Sequence, residues 1–128
     1  MIKEAYCSYE VSKLLKEKGF DEECTHYYSC EDDELIEYTN GVYSRNSKDC
    51  HRCTSPTHQM AMAWLREVHN IIIVIEPHMH DYINEKTSSY VTSLWQGDNY
   101  YENITLKDYS TYEEAVEATL KYVLEKLI

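Results

Sequence analysis

Hydrophobic residues recur at helical spacing in three stretches of the chain. The first stretch, YEVSKLLKEK, predicts a helix from about Tyr9 to Lys18, preceded by Ser8 as a residue that can cap its first turn. Gly19 follows it and can adopt the left-handed backbone that commonly ends a helix. The apolar face of this helix consists of Val11, Leu14 and Leu15. The pattern therefore predicts a short amphipathic helix near the start of the chain.

A second helix is predicted after Ser55-Pro56, with Ser55 as the N-cap and Pro56 at the first helical position, where its missing N–H costs nothing. Asn70 is the expected terminator. One face of this helix carries Met60, Ala61, Trp64, Leu65 and Val68.

The third helix has the clearest start signals. Ser110 and Thr111 each stand three residues before a glutamate, Glu113 and Glu114, which gives two overlapping capping boxes. The core-facing stripe that follows consists of Val116, Leu120, Val123 and Leu127. We therefore expect a helix that runs to the end of the sequence.

Between the helices lie segments rich in Tyr, Ile, Val and Thr. THYYSC and ELIEYTNGVYS, separated by the acidic EDDE, predict a pair of short strands. The run Ile71 to Ile75 predicts a central strand covered on both faces and ended by Pro77. SSYVTSLW and YYENITL, joined at Gly97-Asp98-Asn99, predict a second hairpin.

These elements define the expected fold class. The order α-β-β-α-β-β-β-α predicts an α+β fold in which three helices pack on an antiparallel sheet of about four to five strands. With 128 residues, the chain fits a single domain over residues 1–128.

Composition indicates the cellular compartment of the protein and the state of its cysteines. The longest aliphatic run is far shorter than the roughly 20 apolar residues of a membrane helix, and the first residues lack the apolar segment of a signal peptide. We therefore expect a cytoplasmic protein without membrane association. Five cysteines then indicate thiols or metal ligands rather than a disulfide framework.

The net charge of −11 is concentrated in one region. Eight carboxylates and no Lys or Arg lie between Gly19 and Ser44, which leaves a charge of only −3 for the rest of the chain. Such a surface repels phosphate, so direct nucleic-acid binding is not expected, and a macromolecular partner should be a basic protein.

Three strings in the chain also carry a resemblance. Tyr9 to Tyr28, Thr57 to Ile71 and Tyr109 to Ile128 resemble a family of small proteins encoded in gut Bacteroidales genomes, often in phage-like or other mobile elements. The resemblance implies a shared set of capped helices. It implies no activity, cofactor or catalytic residue, and CHRC at residues 50–53 is not part of it.

Two groups of residues indicate metal chemistry. Cys50 and Cys53 have the spacing by which one loop presents two thiolates to zinc. Further ligands would come from Cys24, His26 and Cys30, or locally from His51 and His58. Separately, His78 and His80 follow the predicted central strand, and such a pair begins the metal site of several hydrolases. Neither group completes a known signature.

The leading hypothesis is a non-enzymatic accessory protein, without a cofactor, that binds a basic protein partner. Tyrosine is a common interface anchor and negative charge steers a basic partner. The predicted contact surface consists of Tyr27, Tyr28, Glu31, Asp32, Asp33, Glu34 and Tyr38. The alternatives are a small zinc-stabilised domain that uses Cys50 and Cys53, and a metal-dependent hydrolase that uses His78 and His80. The sequence leaves open whether the chain forms a homodimer.

Overall fold

The computed structural model describes residues 2–29, 34–38, 45–46, 52–78, 89–102 and 108–128. Within these ranges the chain forms three helices and six strands. Their order is α1 (Tyr9–Glu17), β1 (His26–Ser29), β2 (Leu35–Glu37), β3 (Arg52–Thr54), α2 (His58–His69), β4 (Ile71–His78), β5 (Ser89–Gln96), β6 (Asn99–Glu102) and α3 (Tyr112–Lys126). The predicted α+β class is confirmed.

The six described strands form two antiparallel sheets of three strands rather than one sheet. The first sheet has the order β2-β1-β3, and the second has the order β4-β5-β6. The additional strand is β3, which has only three residues and pairs with β1 so that Cys53 lies opposite Tyr28. So short a segment carries no periodic pattern, which is why the sequence did not predict it.

The ends of α1 match the sequence prediction. Ser8 accepts a hydrogen bond from the backbone N–H of Val11, and Gly19 has a φ of +95°. The N–H of Phe20 then donates to the carbonyl of Leu15 at 2.9 Å, the long bond of a Schellman ending.

The start of α2 differs from the prediction by two residues. Thr57, not Ser55, is the N-cap, and its hydroxyl accepts from the N–H of Met60 at 3.1 Å. Ser55 is buried and its hydroxyl donates instead to the carbonyl of Cys7 at 2.8 Å. A long-range bond therefore removes Ser55 from the cap. Asn70 ends α2 in the left-handed conformation, as expected.

Strand β4 lies at an edge of its sheet, which corrects the predicted central position. Among the described strands it pairs only with β5, and this pairing continues through Pro77, opposite Tyr90, to His78. Proline is tolerated there because an edge strand has unpaired N–H positions. Ile71 is fully buried whereas Ile72 is 44% exposed, so only one face of this strand is covered.

Helix α3 occupies the centre of the packing. It contacts α1, α2 and the inner face of the β4-β5-β6 sheet, while α1 also packs on β3. A backbone bridge between Tyr90 and Tyr109 fixes the segment that leads into α3. The core that results includes Val11, Leu15, Phe20, Trp64, Leu65, Ile71, Leu94, Val116, Leu120, Val123 and Leu124. None of the described helices has the combination of length and apolar character needed to cross a bilayer.

Leu120 is fully buried in this core, so truncating it should leave a cavity beside α1, α2 and the second sheet. We expect Leu120→Ala to lower the free energy of unfolding by about 2–5 kcal/mol in a denaturant titration. The control is Val68→Ala on α2, because Val68 is 58% exposed, and this change should alter the free energy of unfolding by no more than about 0.5 kcal/mol. Equal losses in the two variants would contradict the packing described.

Candidate functional site

The starts of α1 and α2 lie side by side because the segments that precede them pair with each other. Tyr6 and Thr57 form an antiparallel bridge. The N–H of Cys7 donates to the carbonyl of Pro56 at 2.9 Å, and the N–H of His58 donates to the carbonyl of Ala5 at 2.9 Å. Cys7 therefore stands directly before the cap of α1, while His58 is the first residue of α2.

Helix α3 adds a carboxylate at this junction. Oε1 of Glu117 accepts from the backbone N–H of Ser8 at 2.8 Å and lies 2.8 Å from Nε2 of His58. A carboxylate only accepts hydrogen bonds, so the imidazole carries its proton on Nε2 in this contact. The N-terminus of a helix also favours negative charge, and Ser8 caps α1. Glu117 thus joins the starts of two helices to the middle of a third.

The electrostatics of the junction keep the carboxylate ionised and the thiol neutral. Burial by itself raises the pKa of the Glu117 carboxyl, but hydrogen bonds from His58 and Ser8 outweigh burial and bring the pKa below its ordinary value. Burial raises the pKa of the Cys7 thiol well above its ordinary value, and the negative charge of Glu117 raises it further.

These three side chains form a compact group, which we call the junction cluster: Cys7, His58 and Glu117. The Cys7 sulfur, a ring nitrogen of His58 and a carboxylate oxygen of Glu117 lie within 4.8 Å of one another. Cys7 is fully buried, His58 is 5% exposed, and the side chain of Glu117 is 26% exposed. Within the described ranges, no other three His, Cys, Asp or Glu side chains come together in this way.

An open cleft of about 640 Å³ reaches the junction cluster from solvent. Its lining includes Tyr6, Ser8, His58, Tyr109 and Glu117. Lys121 and Glu10 form an ion pair of 2.8 Å between α3 and α1 along the same cleft. His58 and Glu117 are therefore accessible from one side, and Cys7 lies behind them.

Cysteine, histidine and glutamate also occur together in thiol hydrolases, where an exposed thiolate attacks the substrate. Cys7 does not meet that requirement, because its side chain has no exposed surface and its raised pKa keeps the thiol protonated. The junction cluster therefore lacks the exposed thiolate on which such a nucleophilic site depends.

The residues predicted to bind zinc are only partly described. Cys24 and Cys53 are buried thiols, and burial raises the pKa of Cys24 to about 11. His26 stacks on Tyr6 with ring centroids 4.0 Å apart. Cys24, His26 and Cys53 do not gather into a ligand group. Cys30, Cys50 and His51 lie outside the described residues, so a zinc site that includes them stays a prediction.

The histidine pair proposed for a hydrolase is also incomplete. His78 is the last residue of β4, and its backbone pairs with Ser89. His80 lies outside the described residues, so this hypothesis stays a prediction as well.

The predicted tyrosine surface separates into two environments. Tyr27 and Tyr38 stack with ring centroids 4.4 Å apart on the outer face of the first sheet, and the Arg52 guanidinium lies 4.7 Å from the Tyr27 ring centre. Tyr28 points the other way, since it is buried and its hydroxyl donates to the carbonyl of Cys7 at 3.0 Å. Tyr28 is therefore a core residue rather than a contact residue.

The acidic residues predicted beside those tyrosines are described in part. Glu34 is exposed and directly precedes β2. Glu31, Asp32 and Asp33 lie outside the described residues, so their part in a contact surface stays a prediction.

A second exposed surface was not predicted from the sequence. Ile72, Trp95 and Tyr100 are neighbours across β4, β5 and β6, and we call them the aromatic row. They are 44%, 43% and 49% exposed, respectively. The rings of Trp95 and Tyr100 lie 4.8 Å apart. The row lies on the outer face because Ile71 and Leu94, which alternate with it, point into the core.

Sequence patterns gave no direct signal for the junction cluster. His58 was considered as a local ligand beside Cys50 and Cys53, and it is buried, whereas Cys7 and Glu117 were not singled out. Their neighbours did carry a signal, because Cys7 adjoins a predicted cap and Glu117 follows Val116 in the core stripe of α3. The pairing of Tyr6 with Thr57 brings Cys7 and His58 together, and the packing of α3 against α1 and α2 adds Glu117.

No protein-family model matches the chain, and neither a curated protein nor a solved structure matches it. Function is therefore inferred from the geometry of the described residues.

The lowered pKa of Glu117 makes a prediction about stability and pH. A carboxylate with a lowered folded-state pKa stabilises the protein above the ordinary carboxyl range, and this contribution is lost as the pH falls through that range and below it. We expect Glu117→Gln to lower the free energy of unfolding by about 1–3 kcal/mol at pH 7. The difference in unfolding free energy between the variant and the parent protein should become smaller at acidic pH.

Denaturant titrations at several pH values measure this difference. Glu125→Gln, an exposed change on the same helix, is the matched control and should change stability little at any pH. If the two variants have the same pH dependence, Glu117 does not have the role described.

Proposed function

We propose that the protein is a non-enzymatic accessory factor that binds a protein partner through the aromatic row. The observation that carries this proposal is the contiguous exposure of Ile72, Trp95 and Tyr100 on the outer face of one sheet. Isolated exposed apolar residues are ordinary on a protein surface, whereas three large ones in a row mark an interaction site.

The chemistry of the row suits protein recognition. Tryptophan and tyrosine are enriched among the residues that contribute most to protein interfaces. Trp95 and Tyr100 are already in ring contact, on paired strands, so binding orders them at little cost in side-chain entropy. A partner would cover a preformed surface.

The charge of the chain supports a basic partner. The strands of the second sheet, over residues 71–78 and 89–102, contain no Lys or Arg, and both Glu76 and Asp98 are exposed. With a net charge of −11, the whole chain attracts a positively charged protein at long range. The proposed partner therefore has a basic rim around an apolar contact.

The setting in a mobile element is part of the same proposal and rests on the sequence resemblance. In that setting the partner is a host or element-encoded protein, and the cytoplasm is the compartment proposed for the encounter. Genes that flank the coding sequence test this setting independently of any binding measurement.

The stacked pair Tyr27 and Tyr38 is the competing surface. Both rings are half-buried, and Arg52 lies against one of them, so this surface offers less accessible apolar area than the aromatic row and carries a positive charge. Binding experiments therefore have to compare variants of Tyr27 and Tyr38 directly with variants of the aromatic row.

We expect Trp95→Ser combined with Tyr100→Ser to weaken binding to the partner at least about tenfold, because these are the proposed anchor residues. A tagged full-length chain captures candidates from a host-type lysate. The candidate that the variant loses is then purified, and its Kd is measured by calorimetry at low and high salt. Higher salt should weaken binding.

The matched control is Val68→Ser, which removes an exposed apolar side chain from α2, and circular dichroism checks that each variant is folded. Unchanged binding by the Trp95 and Tyr100 variant would overturn the proposal. Loss confined to Tyr27→Ser and Tyr38→Ser would move the contact to the first sheet, which also contradicts it.

A further inference from the structure

We propose that the junction cluster binds one divalent transition-metal ion of the zinc class. Cys7, His58 and Glu117 would supply three ligands, and the remaining position would face the cleft. The site differs from the Cys50 and Cys53 site predicted from the sequence, and it does not depend on partner binding through the aromatic row.

The geometry is close to that of a three-ligand site. Zinc bonds of about 2.0–2.3 Å in a tetrahedron place ligand atoms about 3.3–3.8 Å apart. The three ligand atoms already lie within 4.8 Å of one another. Nε2 of His58 and Oε1 of Glu117 are 2.8 Å apart, which is shorter than the separation of two zinc ligands, so these two atoms would move slightly apart. The Cys7 sulfur would move closer to both. Each separation between ligand atoms would have to change by about 1 Å or less.

The backbone around the cluster is held in place before any ion arrives. Cys7 and His58 are fixed by the paired segments that contain Tyr6 and Thr57. The Cys7 carbonyl also accepts from the hydroxyls of Tyr28 and Ser55, while the Ser8 N–H holds the Glu117 carboxylate. Such outer hydrogen bonds orient the ligands of natural metal sites and strengthen binding.

The set of donor atoms indicates which metals fit. A thiolate with an imidazole suits zinc and similar transition metals, whereas magnesium and calcium prefer sites built from oxygen. On binding, the metal–sulfur bond replaces the S–H bond of Cys7, and that proton leaves to solvent. The ring nitrogen of His58 that binds the ion also gives up its proton, so the proton that Nε2 shares with Glu117 moves to Nδ1 of the neutral imidazole if Nε2 is the ligand atom. Two negative ligands then balance the two positive charges of the ion. Water from the cleft can occupy the fourth position, beside His58 and Glu117.

The test uses the full chain after removal of metal by a chelator, with Co²⁺ and Zn²⁺ as probes. We expect one ion per chain and, with Co²⁺, an absorption band from thiolate-to-metal charge transfer. Cys7→Ser should abolish the band. It should also weaken zinc binding by more than the roughly 10–100-fold that loss of an outer-shell partner costs.

Two matched variants locate the ion. Cys50→Ser and Cys24→Ser should retain the band and the affinity, and Glu117→Gln should weaken binding. The proposal would be overturned if the parent chain does not bind one ion per chain. It would also be overturned if Cys7→Ser binds zinc with the same affinity as the parent. Binding that disappears with Cys50→Ser would assign the ion to the CHRC segment and would equally overturn it.

X-ray absorption of the zinc-loaded parent chain keeps the proposal testable even if Cys7→Ser fails to fold. One sulfur with nitrogen and oxygen neighbours is the result expected. Two or more sulfurs around the zinc would contradict it.

Discussion

The Glu117 carboxylate accepts the Ser8 backbone N–H and the His58 imidazole, and through these two bonds it holds the starts of α1 and α2 against the middle of α3. A largely buried charge is costly unless it is paired and hydrogen-bonded. Displacing either hydrogen-bond partner of Glu117 would therefore cost free energy. The apolar cluster around α3 forms with the three helices in this same arrangement. The packing of the three helices is thus accompanied by a polar contact at the edge of the apolar core, beside the cleft.

The proposed metal site and the proposed partner-binding surface lie in different parts of the structure. The junction cluster lies between the helices and opens to solvent at the cleft, whereas the aromatic row lies on the outer face of the second sheet. Metal binding and partner binding would therefore use different residues and different sides of the structure. Loss of one function need not remove the other.

Local signals predicted the elements well, since helix caps, apolar stripes and turn residues act over a few positions. Ser8, Gly19, Asn70 and Thr111 mark helix ends as expected. What the sequence could not supply was pairing between distant segments. The bond from Ser55 to Cys7, 48 residues away, displaces the predicted cap of α2.

Long-range pairing also decides which residues are exposed and which meet in a site. The edge position of β4 exposes Ile72, although the apolar run around it predicted burial on both faces. Glu117 lies 109 residues from Ser8 and 59 from His58, so no local motif connects them. A double-mutant cycle with His58→Gln and Glu117→Gln, measured as unfolding free energies at pH 7, tests their coupling most directly. A coupling energy of about 1 kcal/mol or more is predicted, and additive losses would contradict the central role given to this carboxylate.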